Sequence, residues 1–99
     1  MMNKRVVITG MGTITPIGNN INTFKENLFK GVCGINKLSG LDEWNLNIKV
    51  AGQIKDFDAK ALGMDAASIR RSDLFNQYGN CAAIQAVAES GLVSGENIE

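Results

Sequence analysis

The 99-residue chain contains no histidine. Histidine is the side chain that most often acts as a general base and as a metal ligand near neutral pH. Its absence excludes a serine–histidine–aspartate or a cysteine–histidine catalytic system built within these residues alone.

Excess charge and long apolar runs are also missing. Ten basic residues balance ten acidic ones, whereas a general binder of nucleic acid or of a membrane surface would show a clear excess of lysine and arginine. No apolar run is long enough to span a bilayer. The composition therefore favours neither a nucleic-acid partner nor a membrane partner.

Cysteine is scarce, with Cys33 and Cys81 far apart in the sequence. Two unpaired thiols fit a reducing compartment, so cytoplasmic localisation is the expectation. Cys33 lies in a glycine-rich loop and could be reactive, but no base lies near it in sequence. Cys81 lies among alanines in a predicted buried helix, which favours an inert packing role.

A metal site is not expected either. Asp56 and Asp58 flank Phe57, and a carboxylate pair can indicate metal or acid–base chemistry. Two acidic residues in a turn without further ligands are more often solvated, so we predict no metal and no bound cofactor.

The rest of the chain is organised around the stretch from Arg5 to Gly18. Its β-branched residues 6–8 followed by Gly10 and Gly12 predict a buried central strand that passes close to other backbone. The two glycines invite a dinucleotide-binding interpretation, but Thr15 occupies the third glycine position and Pro16 follows. Tight packing is the favoured explanation.

Two further elements are predicted in the first half. A helix over residues 22–30 is capped by Asn20 or Asn22 and ended by Gly31. Residues 33–47 form a surface connection whose apolar side chains point inward: Ile35, Leu38, Leu41 and Trp44. Alternation over residues 47–55 predicts a strand with one buried face, made by Ile48, Val50, Gly52 and Ile54.

A long helix over residues 69–90 completes the pattern, with Asp65 or Ser68 near its start and Gly91 at its end. Its many small residues predict burial between layers, which 99 residues cannot supply. The fold class is therefore α/β, and residues 1–99 are expected to be an incomplete domain. Arg70 and Arg71 are either solvated surface or a contact for an anionic partner.

The sequence resembles the amino-terminal part of the β-ketoacyl-acyl carrier protein synthases from about Lys4 to Ile98. The resemblance rests on the order of several short motifs: residues 6–12 (VVITGMG), 15–19 (TPIGN), 28–35, 50–58 (VAGQIKDFD), 77–79 (QYG) and 90–92 (SGL). Thr15-Pro16 and Lys55 to Asp58 look more like the synthase II members than like synthase I.

The resemblance implies a thiolase-like layered α-β-α-β-α fold, a homodimer when complete, and substrates carried on acyl carrier protein. Such enzymes join an enzyme-bound acyl group to malonyl-acyl carrier protein, releasing CO2 and forming a 3-oxoacyl product. Their nucleophilic cysteine and two histidines lie downstream of the matched region, so neither Cys33 nor Cys81 inherits that role. These 99 residues alone are expected to be inactive.

The resemblance also implies a role for Arg70 and Arg71, which fall where synthase II members often carry residues that dock the carrier protein. Ala67 stands where a further lysine is common, and Ser72 where methionine is usual, so the docking patch is expected to be weaker here. The alternatives are a small non-catalytic binding module, or a synthase-like subunit that lacks the nucleophile.

Overall fold

The computed structural model describes residues 3–38, 40 and 45–97. It contains both helices and strands, in agreement with the α/β class. The five elements in chain order are α1 (Ile21–Lys30), β1 (Ile35–Lys37), β2 (Val50–Gly52), α2 (Ala66–Arg70) and α3 (Leu74–Ser90).

Helix α1 has the ends that its sequence predicts. The Asn20 side chain accepts a hydrogen bond from the Thr23 amide at 2.8 Å, so Asn20 and not Asn22 is the N-cap. Gly31 adopts the left-handed conformation at φ 74°. The amides of Gly31 and Val32 donate to the carbonyls of Leu28 and Asn27, which closes the helix in a Schellman motif.

Strands β1 and β2 form a two-stranded antiparallel ribbon in which Asn36 lies opposite Ala51. The predicted strand over residues 47–55 is therefore three residues long, and the predicted surface connection contains a strand that the sequence did not reveal. The predicted inward face is also wrong for Ile35, Ile48 and Val50, which are all exposed. A two-stranded ribbon buries side chains only where another layer covers it; Leu41 and Trp44 lie outside the described residues.

The predicted helix over residues 69–90 is interrupted, giving α2 and α3. Asp65 caps α2 by accepting from the Ser68 amide at 3.0 Å. The backbone is extended at Asp73, which is the N-cap of α3, because serine and aspartate favour helix starts over helix interiors. Gly91 ends α3 in the left-handed conformation, as predicted.

Burial of α3 between layers is not observed. Within this helix Cys81 is the buried residue, while Ile84 and Val87 are exposed. A helix with small residues on most faces has few long side chains with which to cover itself, so it stays open where no neighbouring layer lies against it.

The opening segment departs most from expectation, because residues 3–14 pair with no strand among the described residues. Val6 is 92% exposed and Ile8 82% exposed, so the buried central strand is absent. Its glycines nevertheless behave as predicted. A Cβ added to Gly10 would overlap the Ala86 carbonyl oxygen, and one added to Gly12 would overlap that of Ala82.

A small core lies between the 57–64 turn and α3. Ala59, Met64 and Cys81 are buried, and they are surrounded by partly buried Ile14, Phe57, Leu62 and Ile69. The rings of Phe57 and Tyr78 meet edge to face with centroids 4.7 Å apart. Within the described residues, no helix has the length and apolar character needed to cross a bilayer.

The close approach of the opening segment to α3 predicts a contrast between two glycines. Gly12→Ala should destabilise the chain by about 1–3 kcal/mol, because the added methyl group overlaps backbone that cannot rotate away. Gly79→Ala, in the middle of α3 with open space at its Cβ position, should stabilise it by about 0.5–1 kcal/mol. Equal melting temperatures for the two variants would contradict the packing described here.

Candidate functional site

The turn over residues 15–19, called the anchor turn below, joins the opening segment to α1. The backbone amides of Thr15 and Gly18 each donate to the other's carbonyl, at 2.8 and 3.2 Å. Pro16 occupies the first corner position, where its fixed φ suits a β-turn. The Thr15 hydroxyl also donates to the Gly18 carbonyl at 2.9 Å.

Four consecutive carbonyls of the anchor turn accept hydrogen bonds, and three of the donors are side chains from other parts of the chain. Lys55 Nζ donates to the Pro16 carbonyl at 3.1 Å, Asn27 Nδ2 to the Ile17 carbonyl at 2.6 Å, and Gln85 Nε2 to the Asn19 carbonyl at 2.7 Å. The turn is thereby connected to α1, to α3 and to the segment after β2.

The Pro16 ring also brings the turn against the ribbon. A Cβ added to Gly34 would lie 2.8 Å from Pro16 Cβ, and one added to Gly52 would lie 3.3 Å from Pro16 Cγ. Gly34 precedes β1 and Gly52 is the last residue of β2. The Pro16 ring therefore packs where the ribbon has no side chains. Backbone approach of this kind requires glycine at the contact.

A cleft of about 510 Å³ opens beside the anchor turn. Its lining mixes amide and hydroxyl side chains with apolar ones, and it also includes Cys33, Lys55 and Asp56. The buried Oδ1 atom of Asn19 has no donor within the described residues. The cleft can accept and donate hydrogen bonds, and the Cys33 thiol at its edge contacts the Ile35 carbonyl at 3.6 Å.

Asp56 and Asp58, the acidic pair considered as a metal site, both lie at bends or turns of the backbone. The Asp58 carboxylate accepts from the amides of Lys60 at 3.1 Å and Ala61 at 3.3 Å, so it caps the following turn. Asp56 adopts a left-handed backbone at φ 54°. Among the described residues, no three side chains of the metal-binding types gather into one group.

Arg70 and Arg71 lie at the corner between α2 and α3, called the basic corner below (residues 70–73). Both are exposed, Arg70 in the last turn of α2 and Arg71 as its C-cap. Neither guanidinium forms an ion pair with a described residue. The pKa of Asp65 is held below its ordinary value of 3.8, chiefly by hydrogen bonds from Ser68 and to a smaller extent by the Arg71 charge.

Gln77 fixes the basic corner, a role that the sequence motif did not reveal. Its Nε2 atom donates to the Ser72 carbonyl at 3.0 Å and to the Ile69 carbonyl at 3.3 Å. Gln85 and Asn27 hold the anchor turn in the same way. The sequence could have indicated these roles, because each amide side chain lies on a helix face that also carries apolar residues. A half-buried amide in such a place needs hydrogen-bond partners.

The two cysteines occupy opposite environments. Cys33 is exposed at the cleft, whereas Cys81 has 0% exposure. Burial raises the pKa of the Cys81 thiol above its ordinary value of 9.0. The predicted packing role of Cys81 therefore agrees with its position, and Cys33 is the accessible thiol.

These positions predict different thiol chemistry. A maleimide should modify Cys33 at the rate of a free thiol and Cys81 on the order of 100-fold more slowly, because Cys81 reacts only after local opening of α3. Mass spectrometry of timed samples from Cys33→Ser and Cys81→Ser chains measures each rate. Equal rates would show that Cys81 is accessible.

The same burial predicts a pH dependence of stability. The folded chain keeps the Cys81 thiol neutral where the unfolded chain ionises it, so this stabilisation is complete below pH 9.0 and falls as the pH rises toward the folded pKa. Cys81→Ala should lose this alkaline decline relative to the parent chain, as measured by denaturant melts. An unchanged decline would assign it to other groups.

Comparison with known proteins connects this geometry to a family. Residues 3–98 match the model described as "Beta-ketoacyl synthase, N-terminal domain". The chain is 44% identical over 95 residues to 3-oxoacyl-[acyl-carrier-protein] synthase 2 of Staphylococcus aureus strain COL, covering 96% of the chain and 23% of that relative. It is 41% identical over 98 residues to the protein of the same name from Vibrio harveyi, covering 98% of the chain and 23% of the relative.

The chain thus spans 23% of the length of these curated relatives. The match extends over both the anchor turn and the basic corner, and it agrees with the family resemblance of the sequence motifs. The chain belongs to the β-ketoacyl synthase family, and it matches the model of that family's amino-terminal domain.

Proposed function

We propose that the complete protein is a condensing enzyme of fatty acid biosynthesis. It joins an enzyme-bound acyl group to malonyl-acyl carrier protein, releases CO2 and forms 3-oxoacyl-acyl carrier protein. The observation that supports this proposal is the 41–44% identity to proteins named 3-oxoacyl-[acyl-carrier-protein] synthase 2 over nearly the whole chain. The unpaired cysteines and the family resemblance of the sequence motifs lead us to propose a cytoplasmic homodimer that uses no cofactor.

The part played by these 99 residues is structural and, at one corner, recognition. They contain no histidine, and no base lies near Cys33 in the sequence. We propose that they supply layers of a thiolase-like α-β-α-β-α fold and that the chain alone does not condense substrates. The nucleophile and the groups that assist decarboxylation come from other parts of the complete protein.

An assay on the complete protein tests the condensing activity. Incubation with an acyl-carrier thioester and malonyl-acyl carrier protein should yield a 3-oxoacyl product and CO2, and the 99-residue chain under the same conditions should yield neither. A complete protein that binds the carrier without forming product would instead favour a synthase-like subunit lacking the nucleophile. Product from the chain alone would overturn the division of labour proposed here.

The basic corner is the proposed contact for acyl carrier protein. Carrier protein is acidic, and exposed cations at an interface rim act mainly by steering encounter and fixing orientation. Arg70 and Arg71 are exposed, and Gln77 holds the backbone beneath them. Ser72 within this corner and Ala67 before it are uncharged, so the proposed docking patch has Arg70 and Arg71 as its cations.

Charge reversal at the basic corner should weaken carrier binding in the complete enzyme. Replacing each arginine by glutamate should raise the apparent KM for carrier-bound substrates by roughly 1.4- to 5-fold per residue, with little change in kcat. The two single variants should have effects of similar size, because both guanidiniums are exposed and neither forms an ion pair with a described residue. Both effects should shrink as salt is added.

Two controls separate docking from other causes. Lys4→Glu with Lys25→Glu makes the same change in net charge outside the basic corner, at two exposed lysines that form no ion pair with a described residue, and should leave KM unchanged. Small thioesters that bypass the carrier should be used equally well by the arginine variants and the parent. Loss of activity on small thioesters, or an equal loss in the lysine variant, would refute docking at this corner.

A further inference from the structure

The ribbon depends on few contacts for its position. Among the described residues, β1 and β2 are the one pair of elements with extensive mutual contact, so no helix packs broadly on the ribbon. Three features join the ribbon to the anchor turn: the Pro16 ring against Gly34 and Gly52, the Asn19 amide, and the side chain of Lys55.

Lys55 forms hydrogen bonds through both its backbone carbonyl and its side-chain ammonium. Its backbone carbonyl accepts from Asn19 Nδ2 at 2.8 Å. Its ammonium group lies at 3.1 Å from the Pro16 carbonyl, 3.2 Å from that of Gln53 and 3.5 Å from that of Gly34. An ammonium has three donors and no acceptor, so these three carbonyls match its full donor capacity.

The three carbonyls come from three places: the anchor turn, the residue before β1 and the segment after β2. Converging carbonyl oxygens are also the groups with which proteins replace the hydration shell of a free monovalent cation. Lysine suits such a site because its charge is compact and its three N–H donors rotate about one nitrogen. The donors of arginine are spread over a planar guanidinium, which does not match three oxygens gathered around a single point.

We propose that Lys55 is a tethered cation in a three-carbonyl site and that its charge positions the β1–β2 ribbon on the anchor turn. The ammonium offsets the repulsion among three carbonyl dipoles that approach one another. Because Cys33 adjoins Gly34 and lines the cleft, the same charge sets the shape of the cleft around the accessible thiol. Lys55 is in this sense a positioning residue and not a catalytic one.

Hydrogen exchange of the ribbon in the complete protein measures this role. Lys55→Met keeps the length of the side chain and removes all its donors, so amides of residues 33–38 should exchange about 2- to 12-fold faster, the factor that corresponds to one net hydrogen bond. Lys49→Met is the matched control, because Lys49 lies beside β2 and its ammonium donates to the nearby Leu46 carbonyl at 2.8 Å. Equal exchange in the two variants would overturn the proposal.

Chemical rescue distinguishes a cation site from a general loss of packing. In Lys55→Ala, methylammonium chloride should slow the exchange of residues 33–38 back toward the parent rate. Tetramethylammonium chloride at the same concentration has no N–H donors and should not. Absence of rescue by methylammonium, or equal rescue by both salts, would refute the carbonyl site.

Two further readouts guard against misinterpretation. Amides of α3 should exchange at parent rates in every variant, and a general acceleration there would show that Lys55 stabilises the whole chain and not the ribbon. Lys55→Arg should remain faster than the parent, because arginine keeps the charge without the geometry. Parent-like exchange in Lys55→Arg would reduce the role of Lys55 to unspecific charge.

Discussion

The anchor turn is the constraint on which the arrangement of this chain depends. Backbone carbonyls that leave regular structure need donors, and an unpaired one is costly when water is excluded. Here the carbonyls of residues 16–19 obtain theirs from Lys55, Asn27, the turn itself and Gln85. One short turn therefore fixes α1, α3 and the ribbon relative to each other with hydrogen bonds, where most domains use apolar faces.

The exposed apolar side chains are consistent with an arrangement held by hydrogen bonds more than by apolar packing. The buried core contains Ala59, Met64 and Cys81, while Val6, Ile8 and Val87 remain exposed. Exposed apolar surface of this extent is typical of a face that contacts other protein. The glycines at positions 10 and 12 allow the opening segment to lie against the α3 backbone.

Sequence reasoning succeeded where the physical cause is local. The helix ends at Gly31 and Gly91 depend on neighbouring residues, and the structure confirms both. Of the alternatives predicted for the helix starts, Asn20 caps α1 and Asp65 caps the short α2, whereas Asp73 is the N-cap of α3. It failed where the cause is distant. Val6 to Ile8 have the composition of a buried strand, but a strand exists only when another pairs with it. The short ribbon likewise depends on tertiary contacts, whereas the break between α2 and α3 has a local cause at Ser72 and Asp73 that the sequence analysis missed.

The candidate sites divide in the same way. The exposed arginine pair and the contrast between Cys33 and Cys81 follow from local composition, which the sequence displays directly. The hydrogen bonds of Lys55 and Gln85 join residues separated by 39 and 66 positions, and no periodicity marks such partners in advance. Whether an amide or an ammonium joins two segments or is only solvated can be decided only when its acceptors are known.

The basic corner is held by both local and more distant hydrogen bonds. Ser68 hydrogen bonds hold the pKa of Asp65 below 3.8, so this carboxylate stays ionised at neutral pH and offsets part of the Arg71 charge. Neither guanidinium forms an ion pair with a described residue. Gln77 meanwhile fixes the backbone between the helices, so the two cations share one rigid support. An anionic partner would therefore meet two exposed cations whose backbone is held in place, and charges at an interface rim act mainly by orienting a partner.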